Sequence, residues 1–156
     1  MDNKLELTTI KKITDDFVVE LKNKLKANDS NASGTLSNSL KGIVKQNGKY
    51  IVISIQLEDY WQFVENGRKA GKYPPISAIR KWISVKPVLP RPTKSGKLPT
   101  TNQLAYLIGR KISKVGTKAK PFLQPTLTDF DLVGKVYNAT LELITKQLEQ
   151  EINEEL

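Results

Sequence analysis

The dipeptide Asn47-Gly48 and the alternating run behind it constrain this chain more than any other feature. Asn-Gly supplies the positive φ angles of a two-residue turn at little steric cost, the strongest short-range hairpin signal. Beyond it, Ile51, Ile53, Ile55 and Leu57 alternate with Val52, Ser54 and Gln56. A period of two in β-branched residues predicts a half-buried strand. The spacing therefore predicts an antiparallel pair over 42–46 and 49–57, led into by Leu36, Leu40, Ile43 and Val44.

The two ends of the chain read as its cover. Near 8–26, Ile10, Ile13, Phe17, Val18, Leu21 and Leu25 form one helical stripe, with Thr8 or Thr9 as the N-cap. Ala27 to Gly34 is turn chemistry and ends that helix. A second long helix is expected over about 129–152, where Val133, Val136, Tyr137, Leu141, Ile144 and Leu148 share a face. Asp129 and Asp131 suit its positive end, but Glu149 to Glu155 put anions at its negative end. That end is expected to fray or to find cations elsewhere. At 156 residues, one domain over 1–156 is expected. Its class is α+β: a small antiparallel sheet flanked by long N-terminal and C-terminal helices, with a proline-rich basic loop.

The middle, 34–127, carries most of the punctuation. Tyr60, Trp61 and Phe63 open a short helix that Glu58 and Asp59 start and Gly67 ends. Arg68, Lys69 and Lys72 follow, then Tyr73, Pro74 and Pro75, before a helix over 76–84. Phe63 and Trp82 fall on apolar stripes, so both are expected in the core, worth about 2–3 kcal/mol each. Trp61 and Tyr73 are left as packing residues or as subunit-contact anchors. From 85 to 102, Pro87, Pro90, Pro92 and Pro99 alternate with Lys86, Arg91, Lys94 and Lys97. Such a loop is mobile or a docking arm. Leu104, Leu107, Ile108, Ile112 and Val115 then predict a helix stopped at Gly116. Ala119 to Pro125 is expected to be extended by its prolines, with Phe122 and Leu123 as core plugs.

Composition narrows the chemistry. The chain has no histidine and no cysteine, which removes the commonest general base, the commonest zinc ligand and all thiolate chemistry. The net charge of +9 is uneven: residues 61–128 hold 14 cations and one anion, Glu65, while 129–156 hold 2 cations and 7 anions. So basic a middle suits nucleic acid or an acidic protein surface, for which the acidic C-terminus of another copy qualifies, or else is a solvated lysine-rich surface. Gly67 to Lys72 falls short of a phosphate-binding loop, with three residues between its glycines and Tyr73 where a hydroxyl should bind magnesium. Asp16 and Glu20 read as a solvated helix face. Aromatics among cations could stack single-stranded bases. No run suits a membrane span, and the first residues lack a signal-peptide apolar region, so use where the chain is made is expected. No catalytic residue, cofactor or metal is expected.

Several segments, taken together, carry a resemblance: Gly34-x-Leu36-x-x-Ser39-Leu40; Tyr60-x-x-Phe63-Val64-Glu65-x-Gly67; Gly71 to Trp82; Ile112-x-x-x-Gly116-Thr117; and Pro121-Phe122-Leu123-x-Pro125. Their order over 34–127 resembles the head–tail joining and tail-completion minor structural proteins of tailed bacteriophages. Trp61, Asn66 and Arg68 depart from the usual small, aromatic and threonine residues of that family. The resemblance implies a non-enzymatic virion protein, assembled in the host cytoplasm, forming a homo-oligomeric ring at the neck or tail junction. Its partners would be further copies and other neck, portal or tail proteins, with non-specific contact to packaged DNA and none to membrane. On that reading the basic loops 67–72 and 86–97 reach neighbouring subunits or the portal, and the contact residues are Trp61, Arg68, Lys69, Lys72, Tyr73, Arg91, Lys94 and Lys97. The alternative is a basic nucleic-acid-binding protein whose same cations contact phosphates.

Overall fold

The hairpin forms, but Asn47 is the last paired residue of the first strand, opposite Tyr50, and of Asn47-Gly48 only the glycine takes positive φ. In the computed structural model, residues 3–30, 33–48, 50–86, 88–92 and 94–155 are described. Lys49 of the expected second strand lies outside them, as do Met1, Asp2, Asn31, Ala32 and Pro87 of the segments read above. The first helix is α1 (Asn3–Ala27), followed by a short α2 (Thr35–Ser39), then β1 (Lys41–Asn47) and β2 (Tyr50–Gln56). The strands form a two-stranded antiparallel sheet, registered from Asn47 opposite Tyr50 to Lys41 opposite Gln56. Gly48 takes φ 60° at the turn, and Ile51, Ile53 and Ile55 are half-buried between exposed neighbours. The fold is α+β, with helices supplying most of the cover.

Helix α1 lies on β1. Gly42 permits the approach, because a Cβ there would run into the Thr14 side chain. Ile10, Phe17, Val18, Leu21 and Leu25 are buried, as their spacing predicts. Leu36 and Leu40 join them, with Phe122 closing the core from far along the chain. One expectation fails at the start: Thr8 and Thr9 lie inside the helix. Leu7, three residues before Ile10, continues the apolar spacing past them, and that period outweighs a threonine cap.

Three helices follow the sheet: α3 (Trp61–Asn66), α4 (Ile76–Val85) and α5 (Thr101–Val115). Helices α4 and α5 pack together. The fifth starts earlier than its leucines suggest because Thr100 and Gln103 form a capping box. Gln103 donates its N–H to Thr100 Oγ1 at 3.3 Å, and Thr100 donates to Gln103 Oε1 at 2.9 Å.

The C-terminal third differs most from expectation. Ala119 to Pro125 is not extended throughout: α6 (Leu123–Phe130) begins within it. Pro125 is tolerated because a first-turn N–H has no partner inside its own helix. Nor does one helix run on from Asp129. The chain breaks at Asp131, at φ 51°, before α7 (Leu132–Glu155). Aspartate tolerates this left-handed conformation, and its Oδ1 accepts the Gly134 N–H at 3.2 Å, capping α7.

Helix α7 packs on α1, not across the sheet. Its first two turns face β2 across a cavity of about 500 Å³ lined by Ile53, Ile55, Trp61, Leu127 and Val136. Leu132, Val136, Ala139 and Leu143 are half-buried. The stripe expected to be core is not: Val133, Tyr137, Leu141, Ile144 and Leu148 are 78%, 66%, 50%, 43% and 54% exposed. Apolar residues occupy a wider arc of α7 than one neighbouring helix can cover. Among the described residues, no helix is long and apolar enough to cross a membrane.

Candidate functional site

The site is built on a buried carboxylate. Helix α3 ends at Gly67, φ 70°, and Glu65 in its last turn is 9% exposed. Its Oε2 accepts the N–H groups of Phe122 and Leu123 at 2.7 and 2.9 Å, and its Oε1 accepts that of Gln124 at 3.0 Å. These are among the donors that the start of α6 leaves unpaired, and a carboxylate there also meets the positive end of the helix. The lone anion of the basic middle is therefore a cap. Beside it, Arg68 and Thr117 exchange backbone hydrogen bonds at 3.1 and 2.8 Å. A side chain on Gly116 would strike the Arg68 carbonyl, and one on Gly67 would strike the 117–119 backbone. Both glycines also hold positive φ. The clasp fixes α3 against the end of α5 and the start of α6.

Between α3, α4 and the end of α5 this clasp opens a groove of about 540 Å³. Phe63, Ala78, Trp82, Val85 and Ile112 give it apolar walls, and Arg68, Lys81, Lys86 and Lys120 stand among its lining residues. Phe63 is 56% exposed and Trp82 41%, so neither is the core residue that its stripe implied. Helix α3 has six residues, and its inward positions are taken by Trp61, Val64 and Glu65, which turns Phe63 outward. Helix α4 packs on α5 and buries only Ile79, leaving Trp82 on the open side.

The cations are held in place. The Arg68 guanidinium lies 5.6 Å from the Phe63 ring centroid and donates to the Lys72 carbonyl at 3.2 Å. Lys86 Nζ donates to Asp29 Oδ2 at 2.7 Å, and that hydrogen bond and charge hold the Asp29 carboxyl below its ordinary value. Lys120 Nζ donates to the Asn28 and Asp29 carbonyls at 2.8 and 3.1 Å, just past α1. Lys81 makes no ion pair among the described residues. Tyr60 also lines the groove, and partial burial pushes its phenol up, with Glu58 adding to the effect.

The residues singled out from sequence divide. Trp61 is half-buried against the main core. Tyr73 donates its hydroxyl to the Tyr106 carbonyl at 2.6 Å, and its ring fills the space that Gly109 leaves. Trp61 packs inward; Tyr73 is tied to α5 yet stays 40% exposed, and Phe63 and Trp82 line the groove. Arg68 lines the groove. Lys69 and Lys72 are exposed on the adjoining loop, which Gly71 ties to α5 by donating to the Ser113 carbonyl at 2.8 Å. Arg91, Lys94 and Lys97 are exposed on the proline-rich segment and do not line the groove. Sequence reasoning did not single out Glu65, Lys81, Lys120 or Ile112 for the site. Glu65 alone left a signal, one acid among 14 cations. Among the described residues, no three potential metal ligands cluster. The arrangement suits the docking of an apolar segment under acidic flanks. Comparison with models of known families, with curated proteins and with solved structures gives no match.

Proposed function

We propose that this chain is a non-enzymatic structural protein of a tailed-phage virion, assembled in the host cytoplasm, that forms a ring at the neck or tail junction. The observation that carries the reading is the groove itself. Two half-exposed aromatics, an arginine and flanking lysines around a concave apolar floor are the composition of a protein–protein contact, with anchors at its centre and charge at its rim. The clasp adds support: segments that suggested the resemblance, at 60–67, 112–117 and 121–125, meet through Glu65, Arg68 and Thr117. The exposed cations at Lys69, Lys72, Arg91, Lys94 and Lys97 extend the basic surface toward neighbouring copies or portal and tail proteins. Sedimentation of the purified protein, alone and with virion neck components, tests the reading. Concentration-dependent closed oligomers that weaken between low and molar salt are expected. A chain that stays monomeric in both settings contradicts it.

The exposure of Phe63 and Trp82 beside Arg68 and Lys81 also favours a second reading, a groove in which single-stranded bases stack. That reading predicts log K for single strands falling by about 0.7 per phosphate neutralised as log salt rises. A ring subunit shows feeble, shallow DNA binding instead.

A further inference from the structure

We propose that the occupant of the groove is helix α7 of a second copy of this chain, an inference that rests on the ring reading above. Three observations lead to it. First, α7 has apolar surface to spare. With its Leu132, Val136, Ala139 and Leu143 side half-buried and the helix packed on α1, Leu141, Ile144, Leu148 and Ile152 remain 50%, 43%, 54% and 58% exposed. Their spacing, i, i+3, i+7 and i+11, sets them in one line along the helix, the arrangement by which an amphipathic helix enters a groove.

Second, the charges match. After Lys146 the helix carries no cation, and Glu149, Glu151 and Glu154 make no ion pair among the described residues. They stand at the negative end of the helix, where they are unfavourable until cations approach. The groove offers Arg68, Lys81, Lys86 and Lys120 against one anion, Asp29.

Third, the same charges argue against the other arrangements. Two α7 stripes packed on one another would bring acidic helices together. A helix held on its own α1 contributes no residue to its own groove. The contact is therefore heterologous, joining two different surfaces, the type of contact that builds a ring when the rotation between copies closes.

A complementation experiment tests this. A stripe variant, Leu141→Asp with Leu148→Asp, keeps its groove; a groove variant, Lys81→Glu with Trp82→Ala, keeps its stripe. None of the four side chains is buried, so circular dichroism should match the parent chain and a cooperative urea transition should show that each variant is folded. Each variant alone should lose self-association at least 100-fold in sedimentation. An equimolar mixture should recover a 1:1 dimer and nothing larger, because one intact stripe and one intact groove remain.

Normal assembly by either variant alone overturns the proposal and leaves the ring reading standing. So does a mixture of folded variants that stays monomeric. A parent chain that is monomeric alone and with neck components overturns both. Because the chain has no cysteine, Ala78→Cys and Ile144→Cys give an independent check in otherwise intact protein. A short bis-maleimide should join residue 78 to 144 in a mixture and leave 144 unjoined to 144. The reverse pattern overturns the proposal.

Discussion

The two long helices began as equivalent readings and end as opposites. Helix α1, 25 residues, places Ile10, Phe17, Leu21 and Leu25 at no more than 1% exposure. Helix α7, 24 residues, has no fully buried side chain among those described. Both are amphipathic. The first is enclosed by the sheet, α2, α6 and α7, whereas the second has α1 alone along most of its length. Periodicity specifies that a helix has a face to bury. It does not specify whether the cover lies in the same molecule.

The sharpest way to break this contrast is a pair of truncations read by urea unfolding of the monomeric species. Phe17→Ala should cost about 3–5 kcal/mol, since it empties a fully enclosed site. Leu141→Ala should stay within about 0.5 kcal/mol. Equal losses would mean that α7 is core after all. Next in size is Glu65→Gln, expected at about 2–3 kcal/mol, because an amide turns one N–H donor toward the donors of α6. Faster amide exchange at Leu123 and Gln124 should accompany it.

A smaller effect, about 1 kcal/mol, is expected for Asp131→Ala, which removes the cap at the junction from which α7 leaves the core. Amide exchange at Gly134 reports it directly. The weakest is the tie between Lys86 and Asp29. The folded Asp29 pKa is depressed, so its contribution is complete above the ordinary aspartate value and disappears as pH falls through the lowered one. The carboxyl is fully exposed, so a shift of the Lys86 ammonium resonance, with little change in unfolding midpoint, is the expected outcome.

What the sequence disclosed was local. Asn47-Gly48 and the isoleucines after it located the hairpin, though not its register, and the α1 stripe located the core, because each depends on neighbours within a few residues. The misread features depend on distant ones. Glu65 is a cap only because Phe122 to Gln124 arrive beside it, 57 to 59 residues later. Phe63 faces outward because α3 is too short to bury four large side chains. Pro125 suggested extended chain, yet its position in a first turn suits a helix. Asp131 suggested a helix start and marks a break as well. Local pattern located the parts of the groove but not its floor, which only the packing of α3, α4 and α5 defines.

The buried cap at Glu65 also sets an order of events during translation. Its three donors leave the ribosome only after both walls of the groove, and the oily stripe of the final helix emerges later still. On the pairing proposed above, a nascent chain completes its groove before its final helix emerges, which shortens the time for which growing polypeptides on one messenger can associate prematurely.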